Sequence, residues 1–136
     1  MESRRTTHAY RLIKSSWGIS IVITGTVSIG DGSNRVADRG HSIGLSFGDA
    51  APSLPESYRS ELRRGLDAVA DDIVARVGNS PVLVNIENVL FNEVDFQVDG
   101  LAVAMCRWAE KAFELSPTRI LETFDRAANR YCFDWT

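Results

Sequence analysis

The sequence predicts an α+β domain: a four- to five-stranded mixed, mainly antiparallel sheet with two helices packed on one face and a third helix at the C-terminus. Three observations carry this expectation. From Ser57, the residues Tyr58, Leu62, Leu66, Val69, Ile73 and Val77 recur at steps of three and four, which sets them on one helical face. After the Gly78-Asn79-Ser80-Pro81 break, Val82, Leu83, Val84, Ile86, Val89 and Leu90 form a β-branched-rich run too short for a helix. From Leu101 onward the apolar content returns nearly all round, as in a helix buried on most sides. An α-β-α unit of this kind has a flat apolar surface to cover, so the rest of the chain should supply strands.

In chain order, Tyr10, Leu12 and Ile13 precede the punctuation Ser15-Ser16-Trp17-Gly18, and Ile19, Ile21, Val22, Ile23 and Val27 follow. This reads as two short strands or one long strand bent at Gly18. Residues 28–40 are dense in Gly, Asp, Ser and Asn; Asp31-Gly32 favours a tight reversal, returning His41 to Phe47 as an antiparallel strand. The two prolines of residues 49–56 mark a connector, with Ser53 or Ser57 as helix cap. Gly65 inside the first helix suggests close approach to the sheet, and Gly78 a left-handed stop. Asn92-Glu93 is a candidate turn. Val94, Phe96 and Val98 then alternate with polar residues, as in a strand with one apolar face. Asp99 is placed to cap the next helix. Ser116-Pro117 opens the tail, where Ile120, Phe124, Ala127, Tyr131 and Trp135 share a helical face. The apolar last residues should dock onto their own domain.

A length of 136 residues with 44% hydrophobic and 24% charged residues fits one globular domain, residues 1–136. No apolar stretch approaches the roughly 20 residues of a membrane span, and residues 1–14 lack a secretory pattern, so a cytoplasmic protein is expected. Cys106 and Cys132 read as buried reduced thiols. The two histidines have no ligand-like companions, so neither metal nor cofactor is expected. Residues 1–45 hold six basic and three acidic side chains (+3); residues 46–136 hold nine and fifteen (−6). A basic front on an acidic body hints at an anionic partner.

No phosphate-binding loop, nucleophile elbow or zinc-protease motif occurs, so a binding module is expected over an enzyme. Asp71-Asp72 reads as a solvated helical pair. Glu93, Asp95 and Asp99 read as turn and cap residues before a cation site. Lys14, Arg35 and Arg39, with the arginines of the first helix, are the candidate phosphate-binding side chains. Trp17, beside Ser15 and Ser16, is either a core residue or a loop aromatic that stacks on a base.

Across roughly residues 45–122 the chain resembles domain IV of bacterial elongation factor G, a fold also found in a ribosomal small-subunit protein, the RNase P protein and the GHMP kinases. SFGDAAPSLPESYRSELRRGLDAVADD resembles that family's connector and first helix, with Gly65 at the helix glycine. VLVNIENVLFNEVDFQVDGLAVAMC is similar to its strand, turn and second helix, with Val98-Asp99 on the family's Val-Asp and Asn92 at the start of its turn. The resemblance implies a stand-alone domain whose tip loops, Ser15–Gly18 and Asn92–Phe96, meet RNA or the ribosome. Contact residues would be Lys14, Ser15, Ser16, Trp17, Arg35, Arg39, Asn92 and Phe96. Phe96 stands where the family has a loop histidine, and Glu93 and Asp95 bring negative charge to the tip. The alternative is therefore a protein–protein adaptor or inhibitor, a homodimer included, that keeps the scaffold without binding RNA.

Overall fold

A computed structural model of the chain describes residues 2–29, 43–48, 54–78, 80–92 and 96–135. The elements are strands β1 (Glu2–Ile13), β2 (Gly18–Ile29) and β3 (Ile43–Phe47), helices α1 (Glu56–Asp67) and α2 (Ala70–Val77), strand β4 (Val82–Phe91), helix α3 (Gly100–Phe113), and strands β5 (Ile120–Asp125) and β6 (Arg130–Trp135). A four-stranded mixed sheet has the order β1-β2-β4-β3, and β5 and β6 form a second, two-stranded sheet. The class is α+β.

β1 and β2 make one hairpin in continuous antiparallel register from Glu2↔Ile29 to Ile13↔Gly18. Gly18 thus separates two strands, and β1 reaches far ahead of the apolar run that suggests it. Along β2 the inward positions Ile19, Ile21, Ile23 and Val27 are buried, and Val82, Val84 and Ile86 continue that surface on β4. Every second residue faces one side of a strand, so these side chains define a single covered face. At Gly25 that face is open: an added Cβ would meet Trp108 Cζ2 at 2.9 Å and the Asn85 carbonyl at 3.0 Å. The Trp108 indole lies against this glycine and donates Nε1–H to the Thr6 carbonyl at 2.9 Å. The β2–β4 register shifts at Thr24/Gly25, beside the same indole.

α3 lies on β1 and β2, and α1 packs on α3. Twelve α3 residues are buried, in keeping with its apolar sequence. Gly65 permits the α1–α3 approach, since a Cβ there would collide with the Ala102 carbonyl. The glycine therefore accommodates the neighbouring helix, where the sequence suggests the sheet. The first helical pattern is interrupted at Ala68-Val69, so it becomes two helices; Gly78 ends the second at φ 69°. The N-cap of α1 is Pro55, with no side-chain cap from Ser57, and Ser53 lies outside the described residues.

Three further expectations are corrected. β3 pairs parallel with β4, from Ile43↔Val82 to Phe47↔Ile86, and not antiparallel with β2. The crossover through α1 and α2 allows this parallel pairing. The Asp31-Gly32 reversal lies outside the described residues. Phe96 to Val98 does not form a strand: Phe96 stacks on Phe91 with ring centroids 4.2 Å apart, and residues 97–101 turn directly into α3 through Gly100 N–H to Gln97 O at 2.9 Å. The C-terminal helix is replaced by the β5–β6 hairpin, paired from Ile120↔Trp135 to Asp125↔Arg130. Its apolar side chains Tyr131, Phe133 and Trp135 pack on the core, so the tail docks on its own domain as expected.

Candidate functional site

The β1–β2 turn, residues 14–17, stands at one end of the main sheet and is held there by the C-terminal hairpin. Lys14 N–H donates to Tyr131 Oη at 2.8 Å, and the same hydroxyl donates to the Trp17 carbonyl at 2.6 Å. One phenol thus satisfies both ends of the turn. Ser15 Oγ bonds within the turn, donating to Trp17 O at 3.2 Å and accepting Trp17 N–H at 3.3 Å. The Trp17 ring meets Tyr131 at 5.0 Å and Phe124 at 6.0 Å, both edge-on. Its Nε1–H donates to Asn129 Oδ1 at 3.1 Å. Asn129 is left-handed (φ 55°) and closes the β5–β6 turn, where Asp125 Oδ1 accepts the Ala127 and Ala128 amides.

Tyr131 is fixed in turn from the other side. Gln97 accepts the Tyr131 amide at 2.8 Å and donates to its carbonyl at 2.7 Å, so one side chain substitutes for a neighbouring strand. Asp99 accepts from Gln97 Nε2 and from Arg130 at 2.9 Å. Its carboxylate is thereby engaged in tertiary contacts, and it makes no side-chain cap to α3.

These contacts decide where the predicted contact residues sit. Lys14 and Ser16 project to solvent from a fixed backbone, with exposed Arg11 on the adjoining strand and exposed Arg126 on the neighbouring hairpin turn. Trp17 is an anchor between two hairpins, half-buried against its aromatic partners. Asn92 and Phe96 lie toward the same end of the sheet. Phe91 pairs with Ile21, three residues along β2 from Gly18, or roughly 10 Å at the usual strand rise. Phe96 belongs to a separate aromatic group with Phe91 and Tyr58, 5.3 Å from the latter. Arg35, Arg39, Glu93 and Asp95 lie outside the described residues. The first-helix arginines do not form one patch: Arg59 lies over the Phe47 ring, Arg64 over Trp135, and Arg63 pairs with Glu56 at 3.0 Å. Sequence reasoning missed Tyr131 and Gln97, whose roles depend on partners distant in the chain.

A second polar cluster fixes the segment between α3 and β5. Glu110, 8% exposed, accepts two bonds from Arg107 at 3.0 and 3.1 Å and one from the Thr118 amide at 2.5 Å. Burial pushes the nearby Cys106 thiol up to about 11, so it stays protonated at neutral pH. Tyr10 donates to Glu122 at 2.5 Å, and burial together with that bond holds its phenol far above the ordinary range. His8 is lowered, first by burial and then by Lys111. Both cysteines are free; Cys106 is buried as expected, whereas Cys132 is exposed, because it takes an outward position on β6. Among the described residues no group of three or more His, Cys, Asp or Glu could hold a metal ion, and no helix is long and apolar enough to cross a membrane.

No protein-family model matches this chain, and no curated protein matches it. Among solved structures it is similar to the crystal structure of ttk003000868 from Thermus thermophilus, at a TM-score of 0.61 and 12% identity, over 90% of this chain and 17% of that one. The chain therefore shares its fold with a part of a much longer protein.

Proposed function

We propose that this chain is a binding module of the elongation factor G domain IV type, reaching ribosomal or other RNA through the β1–β2 tip. The observation that carries this reading is the double hydrogen bond of Tyr131 Oη to Lys14 N–H and Trp17 O. It fixes the backbone of a polar turn while leaving Lys14 and Ser16 outward. A cationic side chain on a pre-organised turn loses less freedom on meeting a phosphate than one on a loose loop. Arg11 and Arg126 add positive charge at the same end, and the sequence resemblance supplies the class of partner. Lys14 and Ser16 are the contact residues in this reading, and Trp17 contributes by holding them in place.

Co-sedimentation of the full chain with purified ribosomal subunits tests it. Binding is expected at low salt, falling as salt rises because each phosphate contact releases counterions, and weakened at least about threefold by Lys14→Glu. Absence of co-sedimentation at low salt overturns the reading. One observation favours a second reading, a protein partner met at the same end. Ile13, beside Lys14, is 76% exposed, and Leu90 on the uncovered face of the sheet is 57% exposed. Binding to a protein that survives unchanged at high salt and is abolished by Ile13→Asp would support that alternative.

A further inference from the structure

At the opposite end of the sheet, where β1 begins and β2 ends, a cleft of about 550 Å³ opens against the ends of α2 and α3. We propose that it binds a small organic carboxylate with a short apolar tail, the head group held by Arg4 and Arg76. This site is independent of the tip and of the function assigned to it.

The apolar half of the lining is built from Val27 and Ile29 of β2, Val77 of α2 and Phe113 of α3. The volume falls in the range of small-molecule sites, which combine an apolar lining with a few placed polar groups. Here the polar groups are two guanidiniums brought from distant parts of the chain to one helix end. Arg4 donates to the Ala112 carbonyl, and Arg76 Nε–H donates to the Phe113 carbonyl at 3.1 Å. Both cations then share one carboxylate, Glu114, at 3.8 Å from Arg4 and 3.4 Å from Arg76. Glu114 occupies a left-handed conformation (φ 56°), a C-terminal position usually filled by glycine. The unusual choice of residue puts a carboxylate between the two arginines.

The charge balance then favours an incoming anion. Two guanidiniums face one carboxylate and a helix C-terminus equivalent to roughly half a negative charge, leaving about half a positive charge over. A guanidinium has five N–H donors, and these two side-chain groups remain 58% and 54% exposed (Arg4 and Arg76 respectively), so donors are available to a second carboxylate. Glu114 acts as an internal competitor, and its removal takes the carboxylate from both cations while their bonds to the Ala112 and Phe113 carbonyls remain.

Titration of the full chain with octanoate, followed by amide NMR, tests the site. Octanoate is expected to bind saturably, shifting the Ile29, Val77 and Glu114 amides, and about tenfold more tightly than octan-1-ol or inorganic phosphate. Arg76→Ala should weaken binding about tenfold, and Glu114→Gln should tighten it at least about threefold. The Glu114→Gln variant keeps the shape of the side chain and so separates ligand competition from loss of folding. Equal binding of octanoate and octanol would reduce the cleft to an apolar surface and overturn the proposal. So would unchanged or weaker octanoate binding by a folded Glu114→Gln protein.

Discussion

The two ends of the main sheet are secured by opposite means. At the tip, the backbone of a polar turn is held by a fully buried phenol and by edge-on aromatic rings, with the charged side chains left outside. At the base, charged side chains are themselves the fastening, half-exposed and shared between a helix end and one carboxylate. A buried hydroxyl with both its bonds made is expensive to lose, because two backbone groups become orphans in a low-dielectric setting. Exposed ion pairs are weak and rearrange readily. The tip is thus built to stay still and the base to exchange partners.

The largest expected effect is at the tip. Tyr131→Ala should destabilise the protein by about 3–5 kcal/mol, the range for deleting a buried aromatic side chain. Tyr131→Phe keeps the ring and should lose about 1–3 kcal/mol for the two unsatisfied backbone groups. Urea denaturation measures both. Tyr131→Ala costing no more than a base substitution would break the contrast. Trp17→Phe, which removes the bond to exposed Asn129 and shrinks the ring packed on Tyr131 and Phe124, should lose about 1–2 kcal/mol.

A pH titration probes the stretch between the two ends. His8 has its folded pKa below the ordinary value of 6.5, first through burial and then through Lys111. The unfolded state binds the proton more readily, so stability should fall as pH drops through 6.5 toward the folded value, and be fully present above 6.5. Replacing the group by a non-titrating one, His8→Gln, should flatten the midpoint-versus-pH curve in that window. The smallest effect belongs to the base: Arg76→Ala should change stability by less than about 1 kcal/mol, because its side chain is half-exposed and its ion-pair partner Glu114 is exposed. A loss as large as that of Tyr131→Phe would show that the base, too, is a rigid fastening.

Much of this scaffold was legible from alternation and helical spacing. β2, α3 and the left-handed stop at Gly78 follow directly from local residue patterns. The C-terminal hairpin was not, for a definite reason. Ile120 with Phe124, and Tyr131 with Trp135, are four apart, and a spacing of four satisfies both a helix and one face of a strand. The deciding signals were Phe133, which fills the alternate position between Tyr131 and Trp135, and Asn129, a residue suited to a left-handed turn. The parallel pairing of β3 depends on the crossover through two helices, which local turn chemistry does not encode. The anchoring of Trp17 was beyond local patterns for the same reason: its partners Phe124, Asn129 and Tyr131 lie at the far end of the chain.

Amide hydrogen exchange at Lys14 tests the bracing of the tip most directly. In an isolated hairpin turn this amide would exchange freely, whereas here it donates to a buried hydroxyl. Lys14 should be protected in the wild-type protein and lose that protection in Tyr131→Phe, while the β1–β2 amides near Arg4 remain as slow as before. Free exchange of the Lys14 amide in the folded wild-type protein would contradict the account.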